Sequence, residues 1–298
     1  MKVLYFSDNY AYENYGTKRS LFEGMIDAGL DMIWVDKSQI GSLETLVAKV
    51  KVDQVWCAHS NLLVDPAVTK RSKIPILGFG FSDPYYFSPS RFDSYHAYVT
   101  NHIGTYEKYR SSMKMHYNPT ACDFKYHKCL PVVKDIDISV IGLGNHPRFV
   151  EHDERIQIVN DLRAHGHRVV TYGKGWPEHK DAHGHISEAA AFLRTINRSH
   201  LGLDIQDQDS PLAHRMFEYA GCGVPVITRF RAEVTTVFDT KMEIITYLNR
   251  KNLLDQVDYY MGRKAELSEI GKRAHERCVK DHDIKARVAR LLPFVKSL

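Results

Sequence analysis

The sequence predicts an α/β protein made of two Rossmann-like units, and three observations carry that prediction. Short apolar, β-branched runs recur along the chain, and most are followed by an amphipathic stretch with helix punctuation. This alternation lapses over residues 81–130 and restarts near 135. At 298 residues the chain is long for one doubly wound domain and comfortable for two. Strands alternating with helices imply parallel sheets with right-handed crossovers.

KVLYFS (2–7) reads as a buried strand, followed by a polar loop over 8–16. TKRSLFEGMIDAG reads as a helix with Thr17 as N-cap and Gly29 just past its end. DMIWVD (31–36) is the next strand, 42–50 a weaker helix, QVWCA (54–58) a third strand and IPILGFG (74–80) a fourth. Residues 81–130 are aromatic and His-rich, with short strands expected at 97–100 and 114–118. In the second half, strands are expected at 135–141, 167–173, 201–206 and 225–228. Helices are expected near 148–165, 187–199 (Ser187 as N-cap), 211–221, 250–261 and 263–279. In 283–294, Ile284, Val288, Leu291 and Leu292 share one helical face. The expected domains are 1–132, 133–282 and a final helix, 283–298, that crosses back to the first. Open α/β sheets bind ligands at the carboxyl ends of their strands. Two such units facing across a cleft suggest an enzyme with two substrates.

Composition narrows the class. Residues 1–130 hold 15 Lys/Arg against 13 Asp/Glu, and the rest hold 25 against 23, so bulk charge demands neither nucleic acid nor a membrane. The cysteines at 57, 122, 129, 222 and 278 are odd in number and lack C-x2-C spacing, which argues against a disulfide framework or structural zinc. No apolar stretch approaches the ~18–20 residues of a membrane span, and the N-terminus lacks a signal-peptide pattern. A reduced, cytoplasmic location is expected. Oligomeric state leaves no mark in the sequence.

SPLAHRMFEYAGCGVPVIT (210–228) is the most informative stretch. Ser210 can cap a helix whose first residue is Pro211. The amides of Leu212 and Ala213 would then point out of the helix start, where the dipole favours an anion such as phosphate. Arg215 and Glu218 are one turn apart. They could form a surface pair, or Glu218 could accept two hydrogen bonds from the vicinal diol of a ribose. Gly221 and Gly223 permit the sharp turn into the next strand.

RMFEYAGCGVPVIT resembles the Arg-x-Phe-Glu to Pro-Val-Ile segment of GT-B glycosyltransferases, especially the retaining nucleotide-sugar type and the group resembling the spore maturation protein CgeB. DISVIGLGNHPR, VVTYGKGW and FLRTINRSHLGLDI resemble further segments of that group in the same order, as do FGFSDPYYF and FDSYHAYVTN upstream. The resemblance spans most of 74–230. It implies that Glu218 binds the donor ribose and that the helix start at Ser210, Leu212 and Ala213 holds the diphosphate. It also places Gly142, Gly144 and Arg148 by the phosphates or sugar, and Gly173, Lys174 and Trp176 near the base. Where many retaining relatives carry a glutamate that touches the donor sugar, eight residues before position 218, this chain has Ser210. Metal is not required by that architecture, so no cofactor is expected beyond the nucleotide-sugar co-substrate.

Other candidates are weighed on chemistry. GLGNHPR (142–148) lacks the third glycine of a dinucleotide loop, since position 147 is Pro. Arg148 and Lys174 can complement a diphosphate leaving group. His179, His183 and His185 read as a solvated loop in preference to a zinc site. Asp8, His59 and Asp83 each follow a predicted strand and are candidates for a general base or for acceptor binding. Gly16 and Thr17, with Lys18 and Arg19, offer another helix start for donor phosphates. Tyr85, Tyr86, Phe87, Tyr95, Tyr98, Tyr106 and Tyr109 lie among basic residues, where they can pack under loops or stack on sugars or bases. The expected function is transfer of a sugar, UDP-linked by preference, to an acceptor hydroxyl on a glycan, a small molecule or a modified DNA base of phage type. The alternatives are a nucleotide-sugar epimerase and a non-catalytic sugar- or nucleic-acid-binding relative.

Overall fold

The computed structural model describes residues 1–9, 16–59, 61–145, 152–186 and 188–298. Arg148 and Ser187 lie outside the described residues. The chain forms two compact units. Unit 1 comprises Met1–Thr120, Asp209–Leu212 and Ile284–Leu298, and unit 2 comprises Ala121–Gln208 and Ala213–Asp283.

Unit 1 is built on a six-stranded parallel sheet: β1 (Lys2–Ser7), β2 (Asp31–Asp36), β3 (Gln54–Cys57), β4 (Ile76–Gly80), β5 (Ala97–Thr100) and β6 (Met115–Tyr117), in the order β2-β1-β3-β4-β5-β6. β1 is central and covered on both faces, which is why Val3, Leu4, Tyr5 and Phe6 form an unbroken apolar run, each at most 1% exposed. After β1 comes α1 (Thr17–Asp27), whose N-cap is Gly16 and not the expected Thr17, which is itself helical. α1 ends in a Schellman motif: Gly29, at φ +87°, donates to Ile26 O, and Leu30 N–H donates to Met25 O.

Both short strands expected within 81–130 are present, and an unexpected helix lies between them. β5 and β6 extend the sheet, and α4 (Ile103–Tyr109) links them, capped by the His102 side chain. Two shorter helices, α2 (Leu43–Val50) and α3 (Pro66–Arg71), come before them in the chain. Much of the aromatic cluster is packing material, although Tyr85 is exposed. Phe87 contacts Tyr98 and Tyr109 at centroid distances of 5.4 and 4.9 Å, and Tyr95 and Tyr98 are buried.

The C-terminal helix, here α10 (Ile284–Lys296), belongs to unit 1. Ile284 and Val288 pack so tightly on Gly24 of α1 that a Cβ there would lie 3.2 and 3.1 Å from them. Gln54 Nε2 donates to Val295 O at 2.5 Å, and Arg287 Nε donates to Thr120 O at 3.2 Å. Leu291 is fully buried. Leu291→Ala is therefore expected to cost about 2–5 kcal/mol, read as a lowered urea midpoint of the phase that reports on unit 1. An unchanged midpoint would show that α10 is dispensable.

Unit 2 holds a second parallel sheet: β7 (Ile136–Ile141), β8 (Val169–Tyr172), β9 (Ala182–His183), β10 (Ser199–Asp204), β11 (Val226–Arg229) and β12 (Ile245–Tyr247), in the order β12-β11-β10-β7-β8-β9. Its helices are α5 (His152–Ala164), α6 (Ala189–Arg198), α7 (His214–Gly221), α8 (Arg250–Met261) and α9 (Lys264–Arg277). β9 and β12 are edge strands that the sequence did not announce. The unit begins at Ala121, before the 133 expected, because residues 121–135 pack on its helices: Leu130 N–H donates to Asn197 Oδ1 at 2.7 Å, and Cys129 Sγ lies 3.7 Å from His275 Nδ1.

The helix expected to begin at Pro211 instead begins at His214, with Ala213 as N-cap. Ser210 is therefore not a helix cap. Its hydroxyl lies 2.5 Å from that of Tyr85, Leu212 is fully buried, and Leu212 O accepts from Thr120 Oγ1 at 3.4 Å. These bonds hold 209–212 in unit 1. Local capping rules give way to tertiary contacts here.

Candidate functional site in unit 2

Each sheet has one place where successive connections run in opposite directions: between β1 and β3 in unit 1, and between β7 and β10 in unit 2. Such switch points open a crevice at the carboxyl ends of the two strands.

In unit 2 the loops after β7 and β8 are zipped together. Gly142 N–H donates to Tyr172 O at 2.8 Å, Gly144 N–H donates to Lys174 O at 2.9 Å, and Trp176 Nε1 donates to Gly142 O at 2.8 Å. A side chain at Gly173 (φ +128°) would collide with Gly142 O, and one at Gly144 with the Trp176 ring. These glycines permit close backbone approach. Trp176 braces the loop, and the Lys174 side chain is exposed.

Two arginines line the crevice. Arg155, from α5, sends Nη1 to Leu143 O and Nη2 to Ile205 O, both at 2.7 Å, so one buried guanidinium ties the loop after β7 to the loop after β10. The sequence reading missed it, since its neighbours, EHDERIQ, read as an ordinary charged helix start. Arg215 donates through Nε to Ile141 O at 3.0 Å, rests 4.6 Å above the Phe192 ring and pairs through Nη1 with Glu218 Oε2. Beside them Asp204 accepts from Thr228 Oγ1 and Gln206 Nε2, both at 3.0 Å.

Glu218 is not part of a surface pair: its side chain is 8% exposed. Its other oxygen lies 3.9 Å from His127 Nε2. His127 Nδ1 accepts from Asp123 N–H at 2.9 Å, so the ring proton sits on Nε2, facing Glu218. Burial alone would raise the Glu218 carboxyl; the Arg215 charge, helped by His127 and His214, outweighs it and holds the group below its ordinary value. Burial also lowers His127, against the opposing charges of Glu218 and Asp123. The result is a fixed carboxylate at a strand-end crevice. His127 carried no sequence signal.

The predicted residues of unit 1 fall into two places. Asp8 and His59 meet, 3.7 Å apart, at the β1/β3 switch point, close to Gly16 and the start of α1. Asp83 does not join them. It is 1% exposed and accepts from Thr100 Oγ1 at 2.7 Å and Tyr98 OH at 3.2 Å. Buried and satisfied by these two hydroxyls, it anchors the strand ends and does not face solvent, and burial raises its pKa. The three histidines of 178–188 do not converge: His179 Nδ1 accepts from Asp181 N–H, and His183 stacks on Tyr172. Among the described residues, no group of three or more His, Cys, Asp or Glu could hold a metal ion, and no helix is long and apolar enough to cross a membrane. The five cysteines are free thiols.

Residues 155–293 match the family model described as glycosyl transferase-like. No curated protein matches the chain. Among solved structures, the chain is similar to the sucrose-phosphate synthase of Thermosynechococcus elongatus, with 10% identity, 100% of this chain and 98% of that one covered, and a TM-score of 0.70. It is similar to Anabaena HepE in complex with UDP and glucose, with 13% identity, full coverage of both chains and a TM-score of 0.70. It is also similar to a DNA-modifying β-glucosyltransferase studied with uridine diphosphoglucose, with 14% identity, 100% and 99% coverage and a TM-score of 0.66. The fold is that of the GT-B glycosyltransferases: two parallel six-stranded sheets.

Proposed function

We propose that this chain, built on the GT-B glycosyltransferase fold, moves a sugar from a UDP-linked donor bound by unit 2 to an acceptor hydroxyl bound by unit 1. The observation that carries the reading is the buried Glu218 carboxylate, held charged by Arg215 at the switch point of unit 2, within the residues 155–293 that match the glycosyl transferase-like model. A ribose diol offers two hydroxyl donors in register with two carboxylate oxygens. Arg215 swings from Glu218 toward the donor as the diol takes its place. Lys174 and Arg148 add charge complementary to the diphosphate, and that charge stabilises the leaving group as the glycosidic bond breaks. These cations do the work that a metal does elsewhere. The retaining, CgeB-like assignment rests on the sequence resemblance, as does a hexosyl or pentosyl donor.

The expected result is that UDP raises the thermal midpoint of the chain, with ADP and GDP raising it less, because a ligand that binds only the native state stabilises by RT ln(1 + [L]/Kd). Equal shifts from all three would remove the uridine assignment, and none at all would remove the donor site. A UDP-sugar incubated without acceptor should keep its stereochemistry. An epimer in that sample would make the chain an epimerase instead.

A further inference from the structure

The switch point of unit 1 gathers polar groups that the donor site does not use. Four side chains from four segments meet there: Asp8 after β1, Lys18 in the first turn of α1, Lys37 directly after β2 and His59 after β3. Lys18 Nζ lies 2.6 Å from Asp8 Oδ2, and His59 Nε2 is 3.7 Å from the same oxygen. Lys37 Nζ is 2.8 Å from His59 Nε2, so this ammonium points at an imidazole and not at a carboxylate. On the far side of the ring, Asn61 N–H approaches Nδ1 at 3.2 Å.

That geometry leaves a donor in surplus. A neutral imidazole carries one acceptor and one N–H, yet two donors converge on this ring. Protonating it makes matters worse, since an imidazolium accepts nothing. Burial, together with the charges of Lys18, Lys37 and Arg91 and opposed by Asp8, lowers His59 to about 4. Lys37 Nζ is directed at the His59 ring, while nearby Asp36 accepts from Ser38 and Asn9. The side chains of Lys18 and His59 are 21% and 16% exposed, within reach of a solute. Gly16, the N-cap of α1, brings no side chain to that helix start, and the α1 dipole adds positive potential there.

We infer that the switch point of unit 1 is an oxyanion site that holds a phosphomonoester on the acceptor, with Lys37 and Lys18 as its ammonium partners and His59 as a neutral hydrogen-bonding wall. A phosphoryl group offers several acceptors in different directions, which suits donors arriving from three segments. The anion site stands on its own geometry. Its assignment to the acceptor, as opposed to the donor diphosphate, rests on the function proposed above.

Calorimetry on the full chain with glycerol 3-phosphate, inorganic phosphate and, separately, UDP tests both parts. The phosphomonoester is expected to bind, Lys37→Gln to weaken it by about tenfold or more, and the UDP affinity of that variant to stay within about twofold. No binding of either phosphate, or equal affinities in Lys37→Gln and Lys18→Gln, would overturn the site. A parallel loss of UDP affinity, with UDP displacing glycerol 3-phosphate, would assign the anion to the donor and overturn the acceptor claim. Phosphomonoester binding in a chain blind to UDP would remove the glycosyltransferase reading and leave the anion site standing. Should the variants fail to fold, the wild-type His59 resonance decides: saturating phosphate should raise its pKa by about one unit or more, and an unmoved titration overturns the site.

Discussion

Glu218→Ala is expected to weaken UDP binding by about 100-fold while leaving a folded chain. On the proposed function a ribose diol would donate two hydrogen bonds to this carboxylate, each worth ~1.5–3 kcal/mol, and a net loss near ~2.7 kcal/mol is two decades in affinity. The same substitution costs some stability. His127, 1% exposed at its side chain, loses the acceptor its Nε2 proton faces, whereas Arg215, about one-third exposed, turns to solvent. Glu218→Gln keeps the volume and one acceptor and should fall between the two. The pH dependence has a definite sign. The folded carboxyl lies below its ordinary value of 4.5, so its contribution to stability is present above that value and lost as pH falls below it. Glu218→Ala should therefore be less sensitive to acid than the parent over that window. Calorimetry with UDP on the folded variants settles the role: unchanged affinity alongside lowered stability would make Glu218 a structural carboxylate only.

Most of the fold is legible because its strands are buried on both faces. β1, β3, β7, β10 and β11 stand out as apolar runs, and Gly29, Gly166 and Gly223, all at positive φ, close the helices before β2, β8 and β11. The misses share a cause. α4 lies in an aromatic, polar-looking stretch, and its cap is the His102 side chain, outside the usual capping residues. The start of α7 is misplaced because Ser-Pro is a good helix opening in isolation, while Tyr85 and Thr120, remote in sequence, hold that segment in unit 1.

The site divides along the same line. Arg215 and Glu218 share one short helix, so their spacing is visible in the sequence, and the glycines at 142, 144 and 173 mark strand-end loops. Nothing local pairs His127 with Glu218 or Lys37 with His59. Those contacts exist only once segments far apart in sequence are brought together by the fold. Asp83 shows the opposite failure. A carboxylate after a strand looks functional until two hydroxyls from the adjacent strand are found to satisfy it.

Arg155→Met is expected to loosen the unit 2 crevice without unfolding the unit, and to lower UDP affinity by about tenfold or more. The methionine chain replaces the apolar stem of the arginine, but the carbonyls of Leu143 and Ile205 lose their shared donor. Leaving buried acceptors unpaired costs ~1–3 kcal/mol each, and that cost falls on the two loops that flank the switch point. Arg155→Lys should recover only part of the loss, because an ammonium lacks the planar fork that reaches two carbonyls at once. Since the chain has two units, a single unfolding midpoint is a poor reporter. Amide exchange at Gly142 and Gly144 reads the loop directly. Their bonds to Tyr172 O and Lys174 O should exchange faster in the methionine variant, while the amides of β7 and β10 stay protected. If Gly142 and Gly144 keep their protection and UDP binds as before, the two loops are held by the glycine and Trp176 contacts alone, and Arg155 is a buried charge without a positioning role.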